Sequence, residues 1–165
     1  MKSFRTPEAE QALLDALRQL KDPQFRAAIL DSLTTLGDPA SVKSITPLLS
    51  DKNNFLRQRA AYAIGLIGGP DAEPALLSAL AVEKHPHART TELQGLSLCG
   101  SSKSVPALQA ALKDPSVAVR AHAIQALRRI PGSEAKKALA QASEHDPALR
   151  KRIQEALQEK AKGAR

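Results

Sequence analysis

Apolar residues recur along this chain in a pattern typical of helices that pack on one side. In the second of five similar segments, the apolar positions are Leu56, Ala60, Ile64 and Ile67. Intervals of four, four and three residues place these side chains on one stripe of a helix, whereas a strand would alternate every second residue. The pattern therefore predicts α-helices that are each buried along a single stripe.

The five segments begin at regular intervals, each with an arginine that follows an apolar residue. These arginines, which we call the arginine ladder, are 31, 32, 31 and 30 residues apart and comprise Arg26, Arg57, Arg89, Arg120 and Arg150. A fixed period of this length indicates a stacked repeat architecture. We expect each arginine to hold neighbouring units together by bonding to loop carbonyls or to an aspartate. The alternative is a row of charge that binds a partner.

A second apolar segment completes each unit. Gly37, Gly68 and Gly100 follow the first helix, where a left-handed C-cap favours glycine. One helix pair has too little apolar surface to be stable alone, so neighbouring pairs must stack. We predict one domain over residues 1–165, divided into a leading helix at 7–20, helix pairs at about 22–50, 53–82, 86–113 and 116–143, and a capping helix at 147–162.

The second segment carries a resemblance to a known family. From Leu56 to Gly68 the chain closely resembles the consensus of HEAT-like repeats of the phycobilisome-lyase type, and Pro74, Leu76 and Leu80 fit the companion helix. The resemblance covers roughly residues 21–157. It implies an armadillo-like, all-α, right-handed α-solenoid of stacked antiparallel helix pairs, with about ten helices. It does not imply one activity, since such proteins include chromophore lyases, scaffolds and regulators.

Composition agrees with a helical protein. Hydrophobic residues make up 42% of the chain but aromatic residues only 2%, and Ala and Leu favour helices. The single cysteine, Cys99, is expected to be a small buried residue rather than a nucleophile. No apolar run approaches the ~20 residues that span a membrane. We therefore expect a cytoplasmic monomer without a cofactor, although a fragment of a longer array or a processed exported protein remains open.

Positive charge is concentrated in the last third. Residues 113–165 contain 12 basic and 6 acidic side chains, against 12 and 11 in residues 1–112, and the net charge is +7. The basic residues there that are candidates for partner contact are Arg128, Arg129, Lys136, Lys137, Arg150, Lys151 and Arg152. They indicate either a solvated end cap or a docking face for an acidic protein. Nucleic acid is an alternative, although aromatic groups that stack on bases are scarce.

The third repeat differs from the others. Glu92 occupies a stripe position that is Ile29 or Ala60 elsewhere, Gly95 lies inside the helix, and His85 and His87 precede it. The preferred interpretation is a local irregularity in which Leu93 fills the core, while a metal site of His85, His87 and Glu92 and a partner-facing notch are alternatives. An inward carboxylate needs a partner such as His122 or an arginine, or a route to solvent.

These observations favour a protein-interaction scaffold or adaptor over an enzyme, because no catalytic arrangement stands out. On the second helix of each repeat, the candidate contact residues are Lys43, Thr46, Gln109 and Gln141. They form a mostly uncharged surface, which is suited to a peptide or a partner helix. One alternative is nucleic-acid binding through the basic third. A second alternative, a bilin-lyase-like enzyme or its non-catalytic subunit, rests on the resemblance alone.

Overall fold

The computed structural model of the chain describes residues 6–145, 147 and 149–162. The remaining positions of the expected domain, including residue 148 of the expected capping helix, lie outside the described residues. The described residues form ten α-helices and two short 3-10 segments. All of these elements are helical, in two layers that alternate along the chain.

One layer contains the first helix of each repeat, which we call the A helices. They are α2 (Pro23–Leu36), α4 (Asn54–Ile67), α6 (Pro86–Cys99), α8 (Val117–Arg129) and α10 (Arg150–Lys162). The other layer contains the B helices, which are α1 (Pro7–Gln19), α3 (Ser41–Ile45), α5 (Ala72–Val82), α7 (Val105–Ala111) and α9 (Ser133–His145). Each A helix packs against the A helices of neighbouring repeats and against B helices, so consecutive helix pairs stack as repeats do.

Local sequence explains where several helices begin and end. The Asp22 carboxylate accepts hydrogen bonds from the backbone N–H groups of the next helix, and Asn53 does the same one repeat later. Gly37 ends α2 in the left-handed conformation with φ of 68°. The same expectation for Gly100 is wrong, because its φ is −70°. Glycine is needed there for space, since an added Cβ would lie 2.3 Å from the Leu96 carbonyl oxygen.

The B helices are less regular than the A helices. The second apolar segment of the first repeat divides into α3 and a 3-10 segment over Thr46–Ser50. Pro47 lies at the start of that 3-10 segment, and because proline has no backbone N–H it cannot continue the α-helical hydrogen-bond ladder. The buried residues Leu48 and Leu49 still reach the core, so the break changes the backbone but keeps the packing.

A single apolar core runs through the stack. It extends from Leu14 of α1 to Ala156 of α10, and its fully buried members include Leu33, Ile64 and Leu127. A core shared by all repeats is what a solenoid requires, because no helix pair buries its apolar surface alone. The prediction of an all-α solenoid with about ten helices is confirmed within the described part of the chain.

Two glycines bring the central A helices into backbone contact. A Cβ added to Gly65 of α4 would lie 2.4 Å from the Cα of Gly95 on α6, and a Cβ on Gly95 would lie 2.9 Å from the carbonyl oxygen of Ala61. Neither position tolerates a side chain without movement of the backbone. Gly95, which the sequence places inside its helix, therefore allows α4 and α6 to pack closely, together with Gly65.

Candidate partner-binding surfaces

The arginine ladder makes ion pairs inside the stack. The Nη1 atom of Arg26 lies 3.0 Å from Oδ2 of Asp51, and Nε of Arg57 lies 2.5 Å from Oε2 of Glu83. Arg89 pairs in the same way with Asp114. In each case the acid lies in the loop that ends the arginine's own repeat. These three arginines therefore connect the start of an A helix to the loop that leads to the next one.

Two of these acids also join consecutive repeats. The Asp51 carboxylate accepts a hydrogen bond from the Arg26 side chain. The Asp51 carbonyl oxygen accepts a second hydrogen bond, of 2.9 Å, from Nη1 of Arg57. Asp114 pairs with Arg89, and its carbonyl oxygen accepts a hydrogen bond of 2.9 Å from Arg120. These arginines are therefore engaged within the fold, while the buried Nε atoms of Arg26 and Arg89 have no hydrogen-bond partner among the described residues. Arg150 differs, because it is exposed and pairs with no described carboxylate.

Two glutamates close to the loops between helices each accept several hydrogen bonds. Glu73 on α5 accepts hydrogen bonds from the backbone and side chain of Ser101 and from the hydroxyl of Ser104, which precede α7. Burial alone would raise the pKa of Glu73, but these hydrogen bonds outweigh it and lower that pKa. Burial would likewise raise the pKa of Glu83, but the hydrogen bonds from Arg57 and from the backbone of His85 and Lys84, together with the charge of Arg57, outweigh it and lower that pKa. Both carboxylates therefore stabilise the fold in their ionised form.

Glu92 lies in the core of the third repeat. Its side chain is 1% exposed, and neither carboxylate oxygen has a hydrogen-bond partner among the described residues. His122, one of the partners that the sequence suggests, makes no bond to Glu92, and its Nδ1 atom lies 2.9 Å from the Ala118 carbonyl oxygen. Burial raises the pKa of Glu92 to about 8, and the nearby negative charge of Glu83 adds to this effect. Leu93 is fully buried beside it, so the two side chains both face inward and no notch opens there.

The histidines of the third repeat do not join Glu92 in a metal site. His85 and His87 are exposed at the start of α6, with ring centroids 5.8 Å apart, whereas Glu92 is buried. The residues that the structure describes contain no group of three or more His, Cys, Asp or Glu side chains that could hold a metal ion. Burial also raises the pKa of Cys99 to about 11, so its thiol is largely protonated near neutral pH.

The candidate residues on the second helices lie in grooves between neighbouring B helices. Gln109 and Gln141 line a groove of about 1120 Å³ between α7 and α9, and the Gln109 amide donates a 3.0 Å hydrogen bond to Oε1 of Gln141. Lys43 and Thr46 line a smaller groove of about 430 Å³ beside α5. Nζ of Lys43 lies 3.7 Å from a carboxylate oxygen of Asp71. The structure therefore distributes these four residues over two separate grooves.

The basic cluster is distributed over three helices. Arg128 at the end of α8 lies 3.2 Å from a carboxylate oxygen of Glu159 on α10, so its charge is partly neutralised. The other six members, Arg129, Lys136, Lys137, Arg150, Lys151 and Arg152, are exposed. Adjacent residues on a helix point in different directions, so the three basic residues at the start of α10 do not form one patch.

A further surface lies on the A helices, on the side facing away from the B helices. Its side chains occur two, five and nine residues after a ladder arginine, which places them within one narrow face of each helix. None of them is buried. We call this surface the A-helix face, and its central members are Arg59, Tyr62, Leu66, Thr91, Gln94, Leu98, His122, Gln125 and Arg129.

Two exposed leucines lie at the C-terminal end of the A-helix face. Leu66 on α4 is 46% exposed and Leu98 on α6 is 40% exposed. Both are the ninth residue after a ladder arginine, and each is the penultimate residue of its helix. The sequence interpretation missed this surface because it examined the buried stripe. Aligning the repeats on the ladder arginines and comparing the polar side of each helix could have found it.

The fold and the ladder define a solenoid of repeated helix pairs, and comparison with known proteins identifies its family. The family model for HEAT repeats matches residues 10–97 and 74–158, which together cover most of the chain. The chain belongs to the HEAT-repeat family, which confirms the prediction of a HEAT-like repeat protein. No sequence among the curated proteins matches this chain significantly.

Solved structures show the same fold at low sequence identity. One match is to the complex of CpcE and CpcF of phycocyanin lyase from Nostoc sp. PCC7120, with a TM-score of 0.72 and 22% identity over 92% of this chain and 99% of that chain. This similarity agrees with the resemblance to repeats of the phycobilisome-lyase type. An engineered protein matches with a TM-score of 0.61 and 17% identity over 94% of this chain and 78% of its own. No described helix is long and apolar enough to cross a membrane.

Proposed function

We propose that this chain is a protein-interaction scaffold and that its A-helix face receives a protein partner. The observation that carries the proposal is the exposure of Leu66 and Leu98 at corresponding positions of neighbouring repeats. Isolated exposed leucines are common and need no explanation. Two at corresponding positions of neighbouring repeats give this face an exposed apolar residue on each of two adjacent helices, and exposed polar residues such as Gln94 and Arg129 lie on the same face. Apolar contacts bordered by polar residues are typical of protein interfaces.

Two further observations support a protein partner. HEAT repeats build extended surfaces from stacked units, and such surfaces are well suited to binding other proteins. The structurally similar CpcE and CpcF form a complex with each other, which favours a protein complex as the working form of this chain as well. The arginine ladder is a poor candidate for partner contact, because Arg26, Arg57 and Arg89 already pair with acids of the stack.

The proposal predicts that negative charge on the A-helix face abolishes partner binding. In an affinity pull-down from native extract treated with nuclease, the wild-type chain retains a protein at stoichiometric amount. Leu66→Glu with Leu98→Glu lowers its recovery at least tenfold, because two apolar contacts at an interface centre each contribute about 1 kcal/mol or more.

A matched control is Leu20→Glu with Val82→Glu, since these residues are 41% and 72% exposed but lie at the ends of B helices. This variant is expected to retain the partner, and circular dichroism checks that both variants are folded. Equal recovery by both variants would contradict the proposal.

Nucleic-acid binding through the basic third is the second candidate, and the exposure of Lys136, Lys137, Arg150, Lys151 and Arg152 favours it. It predicts that nuclease abolishes the recovery and that binding weakens steeply with salt, because each phosphate contact releases counterions. Replacement of these five residues with Glu would then remove binding, and the two leucine changes would not. A lyase-like activity is the third candidate and predicts a coloured ligand that co-purifies with the chain.

A further inference from the structure

The first A helix exposes a position that every later A helix buries. In α2 the residue before the ladder arginine is Phe25, and its side chain is 64% exposed. The residues at this position in the other four repeats are all buried, and they are Leu56, Ala88, Val119 and Leu149. Arg26 pairs with Asp51 in the loop after its repeat, as the ladder arginines of α4 and α6 pair with their own loop acids. The exposure of Phe25 therefore does not come from a shifted register of α2.

A second position of α2 shows the same difference. Six residues after the ladder arginine, Ser32 is exposed, whereas the residues at this position in the later A helices are buried. Those residues are Ala63, Gly95, Ala126 and Ala156. The position faces the preceding A helix, since a Cβ added to Gly95 would lie 2.9 Å from the Ala61 carbonyl oxygen of α4. Phe25 and Ser32 are seven residues apart and share one side of α2 with the half-buried Leu36. We call these three residues the open face.

The difference between α2 and the later A helices is the repeat that precedes each of them. The helices α4, α6, α8 and α10 each pack against the A helix before them. In the part of the chain that the structure describes, α2 is preceded only by α1, which is a B helix. The repeat pattern therefore specifies what is missing from the open face, which is a helix in the place of a preceding A helix.

The open face borders an apolar groove between α1 and α2. The groove has a volume of about 520 Å³, and apolar side chains such as Leu13 of α1 and Leu36 of α2 form most of its lining. Phe25 lies at the start of α2 and Leu36 at its end. One α2 helix therefore carries an exposed ring at one end and an apolar groove at the other. Two α2 helices in antiparallel orientation can place each ring in the groove of the other copy.

The opposite end of the stack is unsuited to cover the open face. Residues four and eight positions after the ladder arginine face the following A helix, as the contact of Gly65 with Gly95 shows. On α10 these positions carry Gln154 and Gln158, which are both exposed. The first of them is a buried apolar residue in the middle repeats, namely Ala61, Leu93 and Ile124. Amide side chains make poor contacts for Phe25, because their burial without hydrogen bonds is unfavourable.

We infer that two copies of this chain pair through their open faces, with their α2 helices antiparallel across a twofold axis. Phe25 of each copy enters the groove between α1 and α2 of the other copy, and Ser32 lies near the axis. The pairing continues the packing of A helices from one copy to the next. Because both copies use the same surface, the assembly closes at two copies. The A-helix face lies on another side of the helices, so this inference does not depend on the proposed function.

The mass of the full chain in solution tests the inference, and a monomer is the alternative that the sequence favours. Sedimentation equilibrium is measured from roughly 1 to 100 μM, because interfaces of modest area associate at micromolar concentration or more tightly. The wild-type chain is expected to approach twice its mass of 17.6 kDa. Phe25→Glu should weaken the dimer about tenfold or more, because a charge would have to enter an apolar groove.

The matched control is Phe55→Glu, since Phe55 is also exposed at the start of an A helix but lies outside the open face. This variant should dimerise like the wild type, and circular dichroism checks that both variants are folded. A wild-type chain that stays monomeric over the whole range would overturn the inference, as would a dimer that Phe25→Glu does not weaken. A mass that grows beyond two copies would also overturn it, because unlike ends would then be pairing.

Crosslinking tests which ends of the two copies meet. Ser32→Cys and Gln154→Cys are each prepared in a chain that also carries Cys99→Ser, and both are treated with a short bismaleimide. The copies with Ser32→Cys are expected to form a covalent dimer, and those with Gln154→Cys are expected to remain uncrosslinked. Crosslinks from position 154 alone, or between positions 32 and 154 in a mixture of the two variants, would overturn the pairing of open faces.

Discussion

Replacing Arg57 with alanine is expected to lower the free energy of unfolding by about 3 kcal/mol, because Glu83 would remain buried without its cation. The two side chains are 17% and 8% exposed and meet through two hydrogen bonds, from Nε and Nη2 of the arginine to the two carboxylate oxygens. The hydrogen bond to the Asp51 carbonyl oxygen is lost at the same time. Urea denaturation followed by circular dichroism measures the change.

Two variants separate the ladder contact from charge in general. Arg57→Lys keeps the charge but cannot reproduce the paired geometry, so it should recover only part of the loss. Arg18→Ala removes an exposed pair with Asp15 on α1, whose side chains are 59% and 48% exposed, and should cost less than about 1 kcal/mol. Similar losses for Arg57→Ala and Arg18→Ala would contradict the structural role of the ladder.

Replacing Glu92 with glutamine is expected to stabilise the chain increasingly as the pH rises from about 4.5 to 8. The pKa of this carboxyl is raised from 4.5 to about 8 on folding. Between these values the folded chain holds a proton that the unfolded chain has released, so the free energy of unfolding falls as the pH rises. Below this window both states are protonated, and above it both are ionised. The pH dependence from this group is therefore confined to the window.

The measurement is chemical denaturation of the wild-type chain and Glu92→Gln at several values between pH 5 and pH 9. The stability difference should grow by roughly 3–5 kcal/mol across the window and then level off. Glu73→Gln is the control, because the pKa of Glu73 is lowered and its stabilising effect is lost only as the pH falls below about 4.5. A difference between wild type and Glu92→Gln that is constant from pH 5 to pH 8 would contradict the burial of an unpartnered carboxylate.

The repeat architecture could be predicted because its signals are local and recur. The stripe of Leu56, Ala60 and Ile64 and the spacing of the ladder arginines depend only on helical periodicity. The acids that pair with the ladder could not be chosen from the sequence, since Glu83 has the place that Asp51 and Asp114 have in other repeats. Which loop acid lies close enough to pair with an arginine depends on the path of the chain after each B helix.

The surroundings of Glu92 and the A-helix face could not be predicted from the sequence, because both depend on how several helices pack together. The sequence placed Glu92 on the buried stripe and predicted either a polar partner or a route to solvent, as is usual for buried charges. Whether a partner reaches it depends on the separation of α4, α6 and α8, and contact between Gly65 and Gly95 helps to set that separation. The A-helix face combines exposed residues of several helices, so neither feature follows from a single helix.

Site-specific photo-crosslinking tests most directly whether the A-helix face binds the partner. A benzoylphenylalanine is incorporated at Leu98, and in a second chain at Val82 as a position outside this face. After irradiation in nuclease-treated native extract, we expect one protein to be crosslinked in stoichiometric amount from position 98 and not from position 82. A crosslink from position 82 alone, or from neither position while the partner is still recovered, would contradict the assignment of the A-helix face as the binding surface.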